Sequence, residues 1–353
     1  RLESVFPIAD YGFHSWLSWA RNCDREIAED EPYSRLIAVR KTFTKPRLIA
    51  AEPREHQWCQ QNCWDYFRTR VGQSWISSFI SFRDQSLNQS MCLKGSLDGS
   101  LLTMDLSSAS DRLTPGVVGC FFRHNPCLLD ALQATRTRLM RQDICKDVPS
   151  ILELRKFSTM GSAVTFPVQS LVFLGLSLSA ALFCAGREAT PKSIRNLAGK
   201  VAVFGDDIIV PQECRMVLQS LLEGLSFKVN IAKTYSEGNF RESCGVDAFR
   251  GGDVTPIYWK GELGTNSNAI ASTVECANNF YSKFLLHTRA YVASTVRRDI
   301  PYVSARSSVI GLKSRVPVSL DLPRRYNQDL QREEVRHATC CSSSRRTATD
   351  DDT

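Results

Sequence analysis

Val201-Ala-Val-Phe-Gly205-Asp206-Asp207-Ile-Ile-Val210 sets two adjacent acids between two strongly apolar runs. Val201 to Phe204 and Ile208 to Val210 are rich in β-branched residues and predict two strands. Gly205 can take the positive φ of a tight turn, so the stretch predicts a hairpin with Asp206 and Asp207 at its tip. Strands this apolar must be largely buried, which holds both carboxylates near a core. Like charges there repel, and desolvation adds to the cost. A bound divalent cation offsets both terms, and oxygen donors suit Mg2+ or Mn2+ rather than zinc. The competing reading is a solvated turn, because Asp is common in turns.

A second acid weakens that competing reading. In Leu101-Leu-Thr-Met-Asp105-Leu-Ser-Ser-Ala-Ser-Asp111 another apolar run, Leu101 to Met104, ends in a carboxylate. Strand ends that point at one place are how catalytic carboxylates gather. Nucleotidyl transfer has a use for such a cluster. It needs a nucleophilic 3′-hydroxyl and a stabilised pyrophosphate leaving group, and two metals about 3.5–4 Å apart supply both. Side chains then need do little beyond positioning and neutralising charge.

Helices and strands interleave around these acids. Leu36 to Val39 and Arg47 to Ala50 are short apolar runs joined by the basic link Arg40 to Pro46, which predicts a hairpin carrying cations. Glu55 to Val71 reads as a helix, with Trp58, Cys59, Asn62, Cys63, Tyr66 and Phe67 at helical spacing. Pro149 to Lys156 reads as a further strand, Thr165 to Phe183 as a buried helix and Val217 to Leu225 as an amphipathic helix. Phe240 to Trp259 has strand-like pieces broken by Gly245, Gly251 and Gly252, and Ala269 to Val296 reads as helix. The Ser/Thr/Arg-rich and then Asp-rich stretch from His337 is expected to be a mobile, disordered tail. The pattern implies an α+β architecture.

Composition narrows the classes. The 353 residues suffice for two or three lobes, and 43% apolar with 23% charged residues excludes a disordered chain. A net charge of +7 suits a polyanion partner, although ordinary enzymes reach it too. The 13 cysteines are scattered and read as reduced thiols of a cytosolic protein. His56, Cys59 and Cys63 lack a second ligand pair at finger spacing and read as helix residues rather than a zinc site. No basic-then-apolar signal segment opens the sequence, and a start at Arg1 rather than Met reads as a fragment or a trimmed product. Val164 to Ala185 has the length of a membrane span, but Pro167, Gln169, Ser170, Ser177 and Ser179 interrupt it. It is read as a buried helix, and no membrane partner is expected.

At this point the motifs resemble a known family. Asp105 to Asp111 resembles motif A of right-hand RNA polymerases, Phe157-Ser-Thr-Met-Gly161-Ser-Ala-Val-Thr165 with its continuation to Phe173 resembles motif B, and Gly205-Asp206-Asp207 resembles motif C. Glu237-Gly-Asn-Phe-Arg-Glu-Ser-Cys-Gly245, followed by Asp253-Val-Thr-Pro256, is similar to the motif E region of the replicase beta subunit of leviviruses, positive-strand RNA phages. Gly-Asp-Asp alone is a weak signal, whereas four motifs in order between Leu36 and Lys260 are a strong one.

The resemblance implies RNA-directed RNA polymerase activity that replicates a viral RNA genome in the cytoplasm of an infected bacterial host. It implies a right hand with an antiparallel palm sheet. Fingers would cover residues 1–95 with an insertion at 112–150, palm 96–260, thumb 261–336, and the mostly helical thumb would precede the tail. The amino-terminal fingers would be truncated, because members of the family are longer at that end. Asp105 and Asp206 would bind two Mg2+ or Mn2+ ions, assisted by Asp207. Asp111 would help choose ribose over deoxyribose, and Gly161 would let the backbone approach template or nucleotide. Ser158 and Thr165 would contact ribose or template, or else simply cap the helix. Lys41, Lys45 and Arg47 fall at motif F and would grip the triphosphate. Lys233 falls at motif D and would protonate the departing pyrophosphate. Arg241, Glu242, Ser243 and Cys244 would lie near the primer end. The implied partners are RNA template and product, ribonucleoside triphosphates, and host translation factors as subunits. Three other readings stay open on the residues: a reverse transcriptase, a metal-dependent phosphohydrolase, and an inactive RNA-binding fragment.

Overall fold

The computed structural model describes residues 2–6, 32–40, 46–259, 266–296, 300–305, 309–315 and 324–335. Lys41, Lys45 and the tail from His337 lie outside these residues. The chain divides into two compact units, Arg1–Thr255 and Pro256–Thr353, each described by itself. Both mix helix and sheet.

In the first unit, β1 (Tyr33–Arg40) and β2 (Pro46–Ala51) form the basic hairpin, in register from Arg35 opposite Ala51 to Arg40 opposite Pro46. Helix α1 (Arg54–Gly72) follows Pro53 and buries Cys59, Cys63, Phe67 and Val71 along one stripe. Helix α2 (Ser86–Asp98) stops at Gly99, whose φ of 70° closes the turn. Then come β3 (Leu101–Met104), β4 (Leu106–Ser107) and a single helical turn, Ala109–Arg112. Thr114 and Asn125 cap two short helices that each begin with Pro, α3 (Pro115–Phe122) and α4 (Pro126–Ala134). Strand β5 (Leu139–Arg141) runs parallel to β1 and pairs with β6 (Ile151–Glu153), giving a four-stranded sheet ordered β2-β1-β5-β6. Of the stretch Pro149 to Lys156, only these three residues of β6 are strand.

Helix α5 (Thr165–Cys184) leads to β7 (Ala202–Phe204) and β8 (Asp207–Pro211), and the sheet at the centre of this unit is ordered β3-β8-β7. Both faces of that sheet are covered, which is why its strands read as continuous apolar runs. Leu102, Met104, Val203, Ile208 and Val210 pack with Val168, Val172 and Phe173 of α5. Leu101, Ala202 and Ile209 pack on the other side with Met91 and Cys92 of α2. Burying each such aliphatic side chain contributes roughly 1.5–3 kcal/mol. Helix α5 is long and apolar enough to span a membrane, yet 61% of its most apolar window is buried inside the protein. That burial is what a core helix has.

Helix α6 (Arg215–Gly224), β9 (Lys228–Val229) and the meander β10 (Phe240–Ser243), β11 (Val246–Phe249), β12 (Gly252–Asp253) complete the unit.

The second unit begins with helices and continues in short strands. The stretch Ala269 to Val296 is two helices, α7 (Ser267–Ser282) and α8 (Leu286–Ser294), separated where Phe284 takes a φ of 60°. Beyond them lie a parallel pair, β13 (Tyr302–Ser304) with β14 (Leu312–Ser314), and a hairpin, β15 (Arg324–Asn327) with β16 (Arg332–Val335).

Candidate active site

The register of the central sheet decides which acids meet. Met104 pairs with Ile208 across β3 and β8, and Phe204 pairs with Asp207 across β7 and β8. Asp105, one residue beyond Met104, therefore lies beside the Asp206–Asp207 tip. All three acids are half-buried. Burial foremost, with the charges of Asp206 and Asp105 adding to it, raises the Asp207 carboxyl to about 6. Three oxygen-donor side chains gathered at one end of the sheet have the chemistry of a divalent-cation site, although no three acids among the described residues already stand at metal-holding spacing.

The tip is fixed from the α5 side. Gly205 has a φ of 66° and donates its amide to Ser170 Oγ at 3.1 Å, while Ser170 Oγ donates to the Phe166 carbonyl at 2.7 Å. A Cβ at Gly205 would stand 2.9 Å from the Phe166 ring, so both conformation and packing demand glycine there. Asp207 is held from two other elements. Asn88 Nδ2 of α2 donates to its carbonyl at 3.3 Å, and Cys244 Sγ, in the β10–β11 turn, contacts its Oδ2 at 3.6 Å. Burial foremost, with Asp207 adding to it, raises the Cys244 thiol to about 12, so the thiol stays a donor.

Asp105 has its own holder, Asn230. Its amide Nδ2 donates to Asp105 Oδ2 at 2.9 Å, and its backbone N–H donates to the Asp105 carbonyl at the same distance. The segment after Asn230 then runs along the free edge of β3, with Thr103 and Tyr235 exchanging backbone hydrogen bonds at 3.1 and 2.8 Å. This brings Lys233 into the field of Asp105, but its Nζ pairs with Glu242 Oε1 at 3.3 Å. Burial by itself would lower the Lys233 ammonium; the charge and hydrogen bond of Glu242, with Asp105 and Tyr235 adding to them, together hold it above the ordinary lysine range.

The remaining residues singled out from sequence have different settings. Arg47 is exposed on β2 opposite Val39. Asp111 sits in the turn after β4, its N–H bonded to the Ser108 carbonyl at 3.0 Å, and its carboxylate accepts from Lys156. Ser158 and Thr165 are buried and bonded to each other at 2.8 Å, and Thr165 Oγ1 also donates to the Thr159 carbonyl at 2.6 Å. Their hydroxyls close the loop before α5.

Gly161 has a φ of 136°, and a Cβ there would lie 1.9 Å from the Ala50 carbonyl oxygen. The backbone that approaches it is the protein's own β2. The same loop is tied to Glu52, whose carboxylate accepts from Thr159 at 2.8 Å, Gln60 at 3.3 Å and the Thr137 hydroxyl. Arg241 and Ser243, expected near a primer end, are buried instead, each 1% exposed. The Arg241 guanidinium is spent on the carbonyls of Leu101, Ser236, Glu237, Gly238 and Phe240, at 2.7–3.4 Å. It staples the β10 turn to β3. His56 bonds the Thr135 carbonyl at 3.1 Å, and Cys63 is part of the core.

Comparison with known proteins bears on the family and the fold. The RNA replicase, beta-chain family matches residues 18–274. The RNA-directed RNA polymerase beta chain of Escherichia phage MS2 is 34% identical over 249 residues, covering 69% of this chain and 41% of that protein. That of Enterobacteria phage GA is 34% identical over 230 residues, covering 65% and 39%. The chain thus spans about two fifths of the length of the curated relatives it matches. Among solved structures, an "RdRp complex" overlays with a TM-score of 0.50 at 11% identity, covering 78% of this chain and 26% of that one. The RNA-dependent RNA polymerase of a human picorbirnavirus also scores 0.50, at 10% identity, covering 75% and 56%. At such identities the likeness is one of fold.

Proposed function

The chain belongs to the RNA replicase, beta-chain family, and from that premise we propose that it carries the catalytic centre of an RNA-directed RNA polymerase. The reaction is template-directed addition of ribonucleotides to an RNA 3′-end with release of pyrophosphate. The observation that carries this reading is the meeting of Asp105 with the Asp206–Asp207 tip on adjacent antiparallel strands. In right-hand terms, residues 96–260 are palm, 1–95 with the insertion at 112–150 are fingers, and 261–336 are thumb.

Asp105 and Asp206, with Asp207 assisting, are the residues that would hold two Mg2+ or Mn2+ ions. When bound, such ions activate the 3′-hydroxyl and neutralise the leaving pyrophosphate. The protein's own part is preorganisation. Asn230 fixes the direction of the Asp105 carboxylate, and Ser170 fixes the turn that carries Asp206. Arg47 on β2, with Lys41 and Lys45 from the same basic stretch of sequence, neutralises the nucleotide triphosphate. Asp111 reads the ribose. Lys233 Nζ, kept protonated beside Glu242, supplies the proton to the departing pyrophosphate. Its partners on this reading are host subunits, and its setting is the cytoplasm of an infected bacterium; relatives that are beta chains of phage enzymes support both.

The decisive experiment is extension of a primed RNA template with ribonucleotides and Mg2+, beside the Asp206→Asn variant. Synthesis by the parent and none by the variant is expected. Equal synthesis by both overturns the assignment of the acids, and preferential use of deoxyribonucleotides makes the protein a reverse transcriptase.

A further inference from the structure

Asp111 and Lys156 form an ion pair, with Nζ donating to Oδ1 at 2.6 Å. The lysine is held from behind. Arg136 donates to the carbonyls of Leu154, Lys156 and Phe157 at 2.6, 2.9 and 2.8 Å, so one guanidinium fixes the backbone on both sides of Lys156. The Phe157 N–H donates to the Leu113 carbonyl at 2.7 Å, which ties this stretch to the segment bearing Asp111. The pair is part-exposed, 23% for the lysine side chain and 42% for the aspartate. Pairs this exposed add little to stability. What the arrangement does supply is direction. One carboxylate oxygen is occupied by a cation on a rigid backbone. The other, Oδ2, has no hydrogen-bond partner among the described residues. A carboxylate tied at one oxygen and open at the other is an aimed acceptor for a hydroxyl.

We propose that Lys156 is a positioning residue that determines sugar specificity: it holds Asp111 so that Oδ2 accepts the 2′-hydroxyl of the incoming ribonucleotide. The inference rests on the polymerase reading and on the part given there to Asp111. A deoxyribonucleotide leaves Oδ2 unpaired and is disfavoured for that reason. Without the ammonium the carboxylate turns freely about its side-chain torsions, and the advantage of ribose falls although Asp111 is still present.

The test is the ratio of kcat/KM for ribo- over deoxyribonucleotide on a primed RNA template. Parent, Lys156→Met, Lys156→Gln, Lys156→Arg, Asp111→Ala and the double variant Lys156→Met/Asp111→Ala are compared. Loss of one charge-assisted hydrogen bond predicts a fall of about tenfold in Lys156→Met and Lys156→Gln. The fall should appear as a raised KM for the ribonucleotide with little change for the deoxyribonucleotide. Lys156→Arg should recover most of the ratio, and the double variant should be no worse than Asp111→Ala. A purely structural lysine would depress both substrates alike. An unchanged ratio in an active Lys156→Met or Lys156→Gln protein overturns the inference and leaves the polymerase reading intact. Absence of Asp206-dependent incorporation by the parent overturns that reading, and this inference with it.

Discussion

Ser170 receives the amide hydrogen of Gly205 at 3.1 Å and passes its own hydrogen to the Phe166 carbonyl at 2.7 Å, so one buried hydroxyl joins the central helix to the acidic turn. Ser170→Ala removes the acceptor and leaves a buried N–H without a partner, at a cost of about 1–3 kcal/mol. A lowered Tm and a lowered extension rate are expected together. Gly205→Ala should be worse, since it adds a strained φ to a contact with the Phe166 ring. Thermal unfolding of both variants, ranked against the parent, checks the order; a Ser170→Ala protein with parental Tm and rate would show that the turn stands without its prop.

Asn230 should matter through Asp105 alone. Asn230→Ala frees the carboxylate that its amide holds at 2.9 Å. The expected result is a drop of about tenfold in kcat, the scale of one hydrogen bond to a charged group, with a higher Mg2+ concentration needed for half-maximal rate. Asn230→Asp places another negative charge against Asp105 and should be at least as damaging. A Mg2+ titration of the extension rate reads both, and overlapping curves for parent and Asn230→Ala would remove Asn230 from the site.

Asp207 makes stability depend on pH in a stated direction. Its carboxyl titrates at about 6 in the folded protein against 3.8 ordinarily. Below 3.8 both states hold the proton. Between the two values only the folded state keeps it, so stability falls as pH rises through that window and stays at its lower level above about 6. In chelator, the Tm of the parent should therefore drop more between pH 5 and 7.5 than that of Asp207→Asn, by about 2–6 °C. Mg2+ should restore the difference at pH 7.5. Parallel Tm profiles for the two proteins would mean that the repulsion is relieved some other way.

Arg241 is a cation satisfied wholly by carbonyls, and Arg241→Met should leave five of them short of a donor. A loss of about 3–5 kcal/mol is expected, the range for removing one side of a buried charged network. Denaturant unfolding measures it, and a change under 1 kcal/mol would make the staple dispensable.

The acids were legible in sequence because each ends an apolar run whose burial the composition itself dictates. Val201 to Val210 and Leu101 to Asp105 carry their strand assignment, their turn and their chemistry within ten residues or fewer. What holds those acids in place was not legible. Ser170, Asn88, Asn230 and Cys244 are ordinary polar residues whose partners lie far off in sequence, and nothing local marks which of many serines and asparagines is used. Asn230 came nearest to being found, since it opens the segment singled out for Lys233. Helix α2 was missed because Ser86 to Asp98 is mostly small and polar, with a weak apolar stripe. The break at Phe284 carries no glycine or proline to announce it. Arg241 was placed near the primer end by the resemblance, and its burial had no local mark, because a buried arginine without a carboxylate is rare.

Gly161 and Ala50 have unequal freedom to vary. The atom that would meet a side chain at position 161 is a main-chain oxygen, present whatever residue stands at position 50. No second change at Ala50 can rescue a first change at Gly161, so the usual route by which touching residues drift together is closed at this contact. A mutational scan should find position 161 intolerant in every background, and the hairpin and the loop before α5 inseparable in any attempt to graft one without the other.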